Sequence, residues 1–133
     1  MTTQQQPTQV PPNFAGSLPE FLVFQELERR GKRNGVDFTF QSSFFGGRLE
    51  KGGLIVDFVF SNPPDLAFNI QGVFYHYEQG AAVKSRDVLT RAALAGQGLT
   101  LIFLDEDDIL QDVEFVVREG LQFRDHSRLG GGR

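Results

Sequence analysis

The chain contains no cysteine, so disulfides and thiolate metal sites are excluded. It contains no tryptophan, and no apolar run approaches the ~20 residues needed to cross a bilayer. The first fourteen residues, "MTTQQQPTQVPPNF", have neither a basic n-region nor an apolar h-region. A secretory signal is therefore not expected, nor any association with a membrane. The expected location is the cytoplasm of a host cell or a virion. Basic residues are missing from one stretch: Asp105, Glu106, Asp107, Asp108, Asp112 and Glu114 follow one another with no Lys or Arg between them.

That block accounts for the negative net charge. The 133 residues carry −4 overall, but without these six acids 11 acidic residues face 13 basic ones, a balance of +2. Phosphate binding depends on the local field, so the total charge permits a surface that faces DNA without requiring one. Hydrophobic residues make up 40%, enough for one ordinary domain with a single sheet and a few helices. Fourteen of the sixteen aromatic residues are Phe, so the core is expected to be built on phenylalanine rings.

Residues 1–13 are rich in Gln, Thr and Pro and read as a flexible arm. Residues 14–120 read as one domain, and 121–133, ending "RDHSRLGGGR", as a tail with little to bury. Inside the domain, "SLPEFLVFQELERRG" predicts a helix. Ser17 is its N-cap, Pro19 sits in the first turn, Glu20 completes an S-x-x-E capping box and Gly31 ends it. "VDFTFQSSF", "LIVDFVF" and "LAFNIQG" predict three strands, the first two separated by a glycine-rich turn and the last two by "SNPPD". "VKSRDVLTRAALAGQG" predicts a second helix. "LTLIFL" predicts a strand covered on both faces, and "DEDDILQDVEFVVREG" a last helix with its acids at the end that the macrodipole favours. The order α-β-β-β-α-β-α predicts an α/β fold, a mixed β-sheet flanked by helices.

Two features on neighbouring strands carry possible chemistry. Asp57 is a lone carboxylate among apolar residues, and burying it is costly without a partner, a metal or solvent. Asn69 and Gln71 are two apart on one strand and share a face, which a hairpin would bring near Asp57.

Pro19-Glu20, "GGLIVDF" around Asp57 and "NIQG" with His76 four residues past the glycine belong to one pattern, continued by Asp87 and Arg91 as D-x-x-x-R and by "GQGLTLIFL". Over residues 17–120 the chain resembles the PD-(D/E)XK nuclease superfamily, most of all its very-short-patch-repair-like endonuclease branch and related small phage proteins. The resemblance implies a restriction-endonuclease-like core and a Mg²⁺- or Mn²⁺-dependent endonuclease acting on DNA. It implies metal binding by Glu20 and Asp57, and catalytic positions at Asp57, Asn69, Gln71 and His76. In the family's pattern the places of Asn69 and Gln71 hold a carboxylate and a lysine or its substitute. An amide brings no charge to a divalent cation, and Gln71 is neither base nor cation. Lys84, Asp87 and Arg91 form one stripe of the next helix, where Asp87 would restore the missing carboxylate and Lys84 the missing ammonium, and Arg91 with Lys84 would offset charge on the scissile phosphate.

A plainer reading stands beside each. Glu20 serves as capping-box partner, Asp57 as a solvated edge residue, and Lys84, Asp87 and Arg91 as a salt-bridged helix face. Arg29, Arg30, Lys32 and Arg33 are either contacts to DNA phosphates or cations favoured at a helix C-terminus. The alternative function keeps the fold without catalysis: a DNA-binding protein, or an accessory in a virion or replication complex. A homo-oligomer is a further possibility.

Overall fold

The computed structural model describes residues 6–44, 54–72 and 81–129, and for 42–44, 54–55 and 81–86 the main chain only. Its elements are α1 (Leu18–Arg29), β1 (Phe38–Phe44), β2 (Leu54–Phe60), β3 (Leu66–Gln71), α2 (Ala81–Ala95), β4 (Thr100–Asp105) and α3 (Glu106–Leu121). The expected order is thus present, with three helices around one four-stranded mixed sheet. The strands lie in the order β1-β2-β3-β4. The pairs β1–β2 and β2–β3 are antiparallel and β3–β4 is parallel, joined across α2.

Local signals set the helix ends. Ser17 accepts the Glu20 N–H and the Glu20 side chain accepts the Ser17 N–H, closing the capping box. At the other end Gly31 takes φ +84, which lets Lys32 N–H reach the Leu27 carbonyl and Gly31 N–H that of Glu28. Helix α2 closes the same way through Gly98. Helix α3 breaks at Asp112, whose φ of −158° and ψ of 82° are extended. The Asp112 carboxylate accepts the Phe115 N–H and so caps the second half.

Side-chain alternation divides the core between two faces of the sheet. On one, Leu22, Val23 and Leu27 of α1 and Ile109, Val116 and Val117 of α3 meet Phe38, Phe58, Phe60, Leu66, Phe68, Ile102 and Leu104. On the other, Leu94 of α2 meets Val56, Ala67, Leu101 and Phe103. The run "LTLIFL" feeds both, Leu101 and Phe103 to the α2 side and Ile102 and Leu104 to the α1–α3 side. Each such side chain removed from water contributes roughly 1.5–3 kcal/mol. Among the described residues no helix is long and apolar enough to cross a membrane.

Both ends of the described chain lie on this body. Phe14 packs against Phe21, Phe24 and Phe40, and Gln6 donates to the Leu110 carbonyl near the break in α3. Of the stretch 121–133, which the sequence reads as a tail with little to bury, residues 125 and 128 make contacts with β4. Asp125 accepts the Phe103 N–H, Ser127 is buried, and Arg128 binds Asp105. An edge strand needs partners for its exposed N–H groups, and Asp125 supplies one for Phe103.

Candidate functional site

Two strands of the sheet part company at Asp57. Pairing of β2 with β3 runs Phe60↔Leu66, Val59↔Ala67 and Phe58↔Phe68, and stops there. Beyond it, side chains take over: the Asn69 Oδ1 accepts the Asp57 N–H at 2.9 Å, and the Asp57 Oδ2 accepts the Ile70 N–H at 2.8 Å. The pleat slips at the same place. Phe58 and Phe60 face α1 and α3 while Val59 and Val56 face α2, so alternation fails between Val56 and Phe58. Gln41, across from Asp57 on β1, sits at φ 59. The slip turns Asp57 toward the face that carries α1.

There it meets Glu20. The two carboxyl groups are within hydrogen-bonding reach, in an open pocket of about 320 Å³ lined by Ser17, Pro19, Glu20, Asp57, Ile70, Gly72 and Glu106. Burial pushes the Asp57 carboxyl up to about 7, against the Ile70 N–H, which favours the anion; the negative Glu20 adds to the rise. The described lining brings two carboxyl groups together, Glu20 and Asp57, and has no basic side chain; Glu106 also lines the pocket, but its carboxyl does not join theirs in one cluster of oxygens. Such a set is short of positive charge, and Mg²⁺, which takes one or two carboxylates and keeps waters, suits it.

Glu106 is the residue that sequence reasoning missed, having been grouped with the acids of a helix N-terminus. A signal was present: it directly follows β4, and the carboxyl ends of parallel strands are where open α/β sheets build sites.

The other expected residues fall elsewhere. Asn69 serves the main chain of Asp57 rather than lining the pocket. Gln71 is 1% exposed, and its Oε1 has no hydrogen-bond partner among the described residues. His76 and the side chain of Lys84 lie outside the described residues. Asp87 and Arg91 belong to α2, on the opposite face from Glu20. The Arg91 guanidinium stands 5.3 Å from the centre of the Phe103 ring and donates to the Leu129 carbonyl.

The cations of Arg29, Arg30, Lys32 and Arg33 gather at the end of α1 away from Glu20. Arg29 and Arg30 both bind the buried Glu26, at 2.6 and 2.7 Å. Burial pushes the Glu26 carboxyl up, but the two guanidiniums outweigh it and hold it below the usual range.

A second acidic group, Asp105, Asp107 and Asp108, keeps oxygens within 4.8 Å of one another. Arg128 reaches into it, donating to Asp105 at 2.9 Å and to Asp107 at 3.1 and 2.7 Å. The protein's own cation meets that charge.

Comparison of the chain with family models, with curated proteins and with solved structures returns no match.

Proposed function

We propose that the chain is a divalent-cation-dependent phosphodiesterase of the PD-(D/E)XK type, acting on DNA. The observation that carries this reading is the meeting of Glu20 from the entry helix with Asp57 from the second strand, in an open pocket at the carboxyl ends of the parallel pair β3–β4. The sheet, antiparallel over three strands and parallel at the fourth with helices on both faces, supports a restriction-endonuclease-like core.

Glu20 and Asp57 would hold Mg²⁺ or Mn²⁺, with water in its remaining positions. Such an ion, when bound, polarises a phosphoryl oxygen and lowers the pKa of water. The chain's own work is to set the carboxylates. The Ser17 N–H holds one oxygen of Glu20, the Ile70 N–H holds one of Asp57, and Asn69 secures the main chain beneath.

A second reading is favoured by the two amides. Asn69 is spent on the Asp57 main chain and Gln71 is buried, so neither supplies a charge to the pocket. This supports a catalytically inactive nuclease-fold protein that binds DNA or serves in a virion or replication complex.

Titration calorimetry with Mn²⁺ and cleavage of supercoiled plasmid in Mg²⁺ separate the readings. Metal binding together with cutting, both lost in Asp57→Asn, is the result expected of the enzyme. Metal binding without cutting selects the second reading, and no metal binding removes the first.

A further inference from the structure

Helices α1 and α2 both end through a left-handed glycine, Gly31 and Gly98, each at φ +84. Helix α3 closes with the same two backbone bonds, Phe123 N–H to the Gly120 carbonyl and Arg124 N–H to that of Glu119. Here, however, Phe123 takes the place of the glycine, at φ 66. A side chain in this region is strained by the approach of its Cβ to the following carbonyl. The ring is 41% exposed, so packing offsets little of that strain.

Beyond this turn lies a segment that keeps its own shape. Ser127 donates its N–H and its hydroxyl to Asp125 Oδ1, and its oxygen accepts the Leu129 N–H. Asp125 Oδ2 accepts the Phe103 N–H, and Arg128 binds Asp105 at 2.9 Å and Asp107 at 2.7 Å. The segment therefore advances beside β4 in that strand's own direction, where the sheet ends and a fifth strand would pair. Leu129 packs against the cluster of Leu94, Leu101 and Phe103, and its carbonyl accepts from Arg91. Glu119, in the last turn of α3, holds Arg124 and His126, each at 3.0 Å.

We infer that residues 124–129 exchange between two copies of this chain: each copy opens the turn at Phe123 and lays this segment on the β4 edge of the other. The occupant follows from complementarity already present. The edge offers two carboxylates to Arg128, an N–H to Asp125 and an apolar cluster to Leu129, and a second copy brings the identical segment. Exchange keeps these contacts and releases the strain at Phe123 twice in each dimer. Short strained hinges are where identical elements trade places. The inference is independent of the metal-binding reading.

Light scattering after gel filtration, on the full chain over a range of concentrations, measures the dissociation constant of the dimer, and circular dichroism checks the fold. The parent is expected to be a concentration-dependent mixture of monomer and dimer. Phe123→Gly relieves the strain in the monomer, so it is expected to raise the dissociation constant roughly tenfold or more, because the relief counts twice. Phe123→Pro, whose ring fixes φ near −65°, forbids the turn and is expected to be dimeric where the parent is mixed. If that variant folds poorly, the glycine variant and a mixing experiment decide.

For mixing, Arg128→Gln and Asp107→Asn chains are combined in equal amounts. Only a heterodimer holds a complete clasp, the Arg128 of one chain on Asp105 and Asp107 of the other. Native mass spectrometry is expected to find heterodimers above the statistical half of all dimers. A parent that stays monomeric at every concentration overturns the inference. So does a dissociation constant unchanged by Phe123→Gly, or a heterodimer fraction no greater than half, since either result places the dimer on another surface.

Discussion

The Asn69 side-chain oxygen accepts the backbone N–H of Asp57 at 2.9 Å, standing in for a ladder that ends one residue earlier. An amide at this position is thus a structural part of the site, whatever else it lacks. An unpaired, partly buried N–H costs about 1–3 kcal/mol. Asn69→Ala is expected to lower stability by that amount in urea unfolding. A loss under about 0.5 kcal/mol, on the same scale, would show that water replaces the amide.

Asp57 sets a pH dependence whose sign follows from its raised pKa. The unfolded chain releases this proton near pH ~4, whereas the folded protein holds it up to about 7. Between these values the folded state binds more protons, so stability falls as pH rises, by a slope of at most about one proton. The contribution is fully present below pH ~4 and gone above the folded value. Glu26 and Asp107, whose pKa values are lowered, act in a separate window: their contribution is present above the unfolded value and lost as pH falls through the folded one. Urea unfolding at intervals from pH 4 to 8 measures the slope. An equally steep fall in Asp57→Asn would assign it to other groups.

Asp57→Asn removes a charge and keeps an oxygen for the Ile70 N–H. At pH 8 without divalent ions the variant is expected to melt higher than the parent, because the repulsion with Glu20 is gone. Saturating Mn²⁺ should reverse the order by raising only the parent, by about 2.7 kcal/mol at a hundred times the dissociation constant. Calorimetric scans with and without the ion check both halves. A parent that melts higher in the absence of metal contradicts the first.

Gly16 ties the aromatic cluster to the pocket. A Cβ there would lie 2.7 Å from Phe14 Cε2 and 3.1 Å from Glu20 Oε1. Gly16→Ala is expected to cost about 1–3 kcal/mol by overpacking and to weaken Mn²⁺ binding, because Glu20 must move. Unchanged stability and affinity would mean that the segment before α1 shifts freely as a unit.

Phe123 ends α3 at φ 66, the conformation that α1 and α2 give to glycine. The ring is 41% exposed, so its removal gives up little packing. Phe123→Gly is therefore expected to be neutral or to stabilise by up to about 1 kcal/mol, since glycine tolerates the left-handed region. A clear loss of stability would assign the ring a packing role that outweighs the strain.

The elements were legible because their signals are short-range. Ser17 with Glu20, Gly31, Gly98 and the alternation in "VDFTFQSSF" each act within a few residues, and the structure places element ends close to them. The acids at 105–108 show the limit of such signals. By pattern they are all helix-dipole partners, yet Asp105 and Asp107 bind Arg128 more than twenty residues away while Glu106 is among the residues that line the pocket. Asn69 and Gln71 show the same limit. Their spacing puts them on one face but does not tell that one amide would be spent on a neighbouring strand and the other sealed in.

By itself the sequence determined the order of helices and strands, their ends and the phenylalanine core, because period, caps and turns are encoded locally. Only the tertiary structure decided which carboxylates meet. That depends on the sheet order and on the slip of the pleat between Val56 and Phe58, each produced by contacts between residues far apart in the chain.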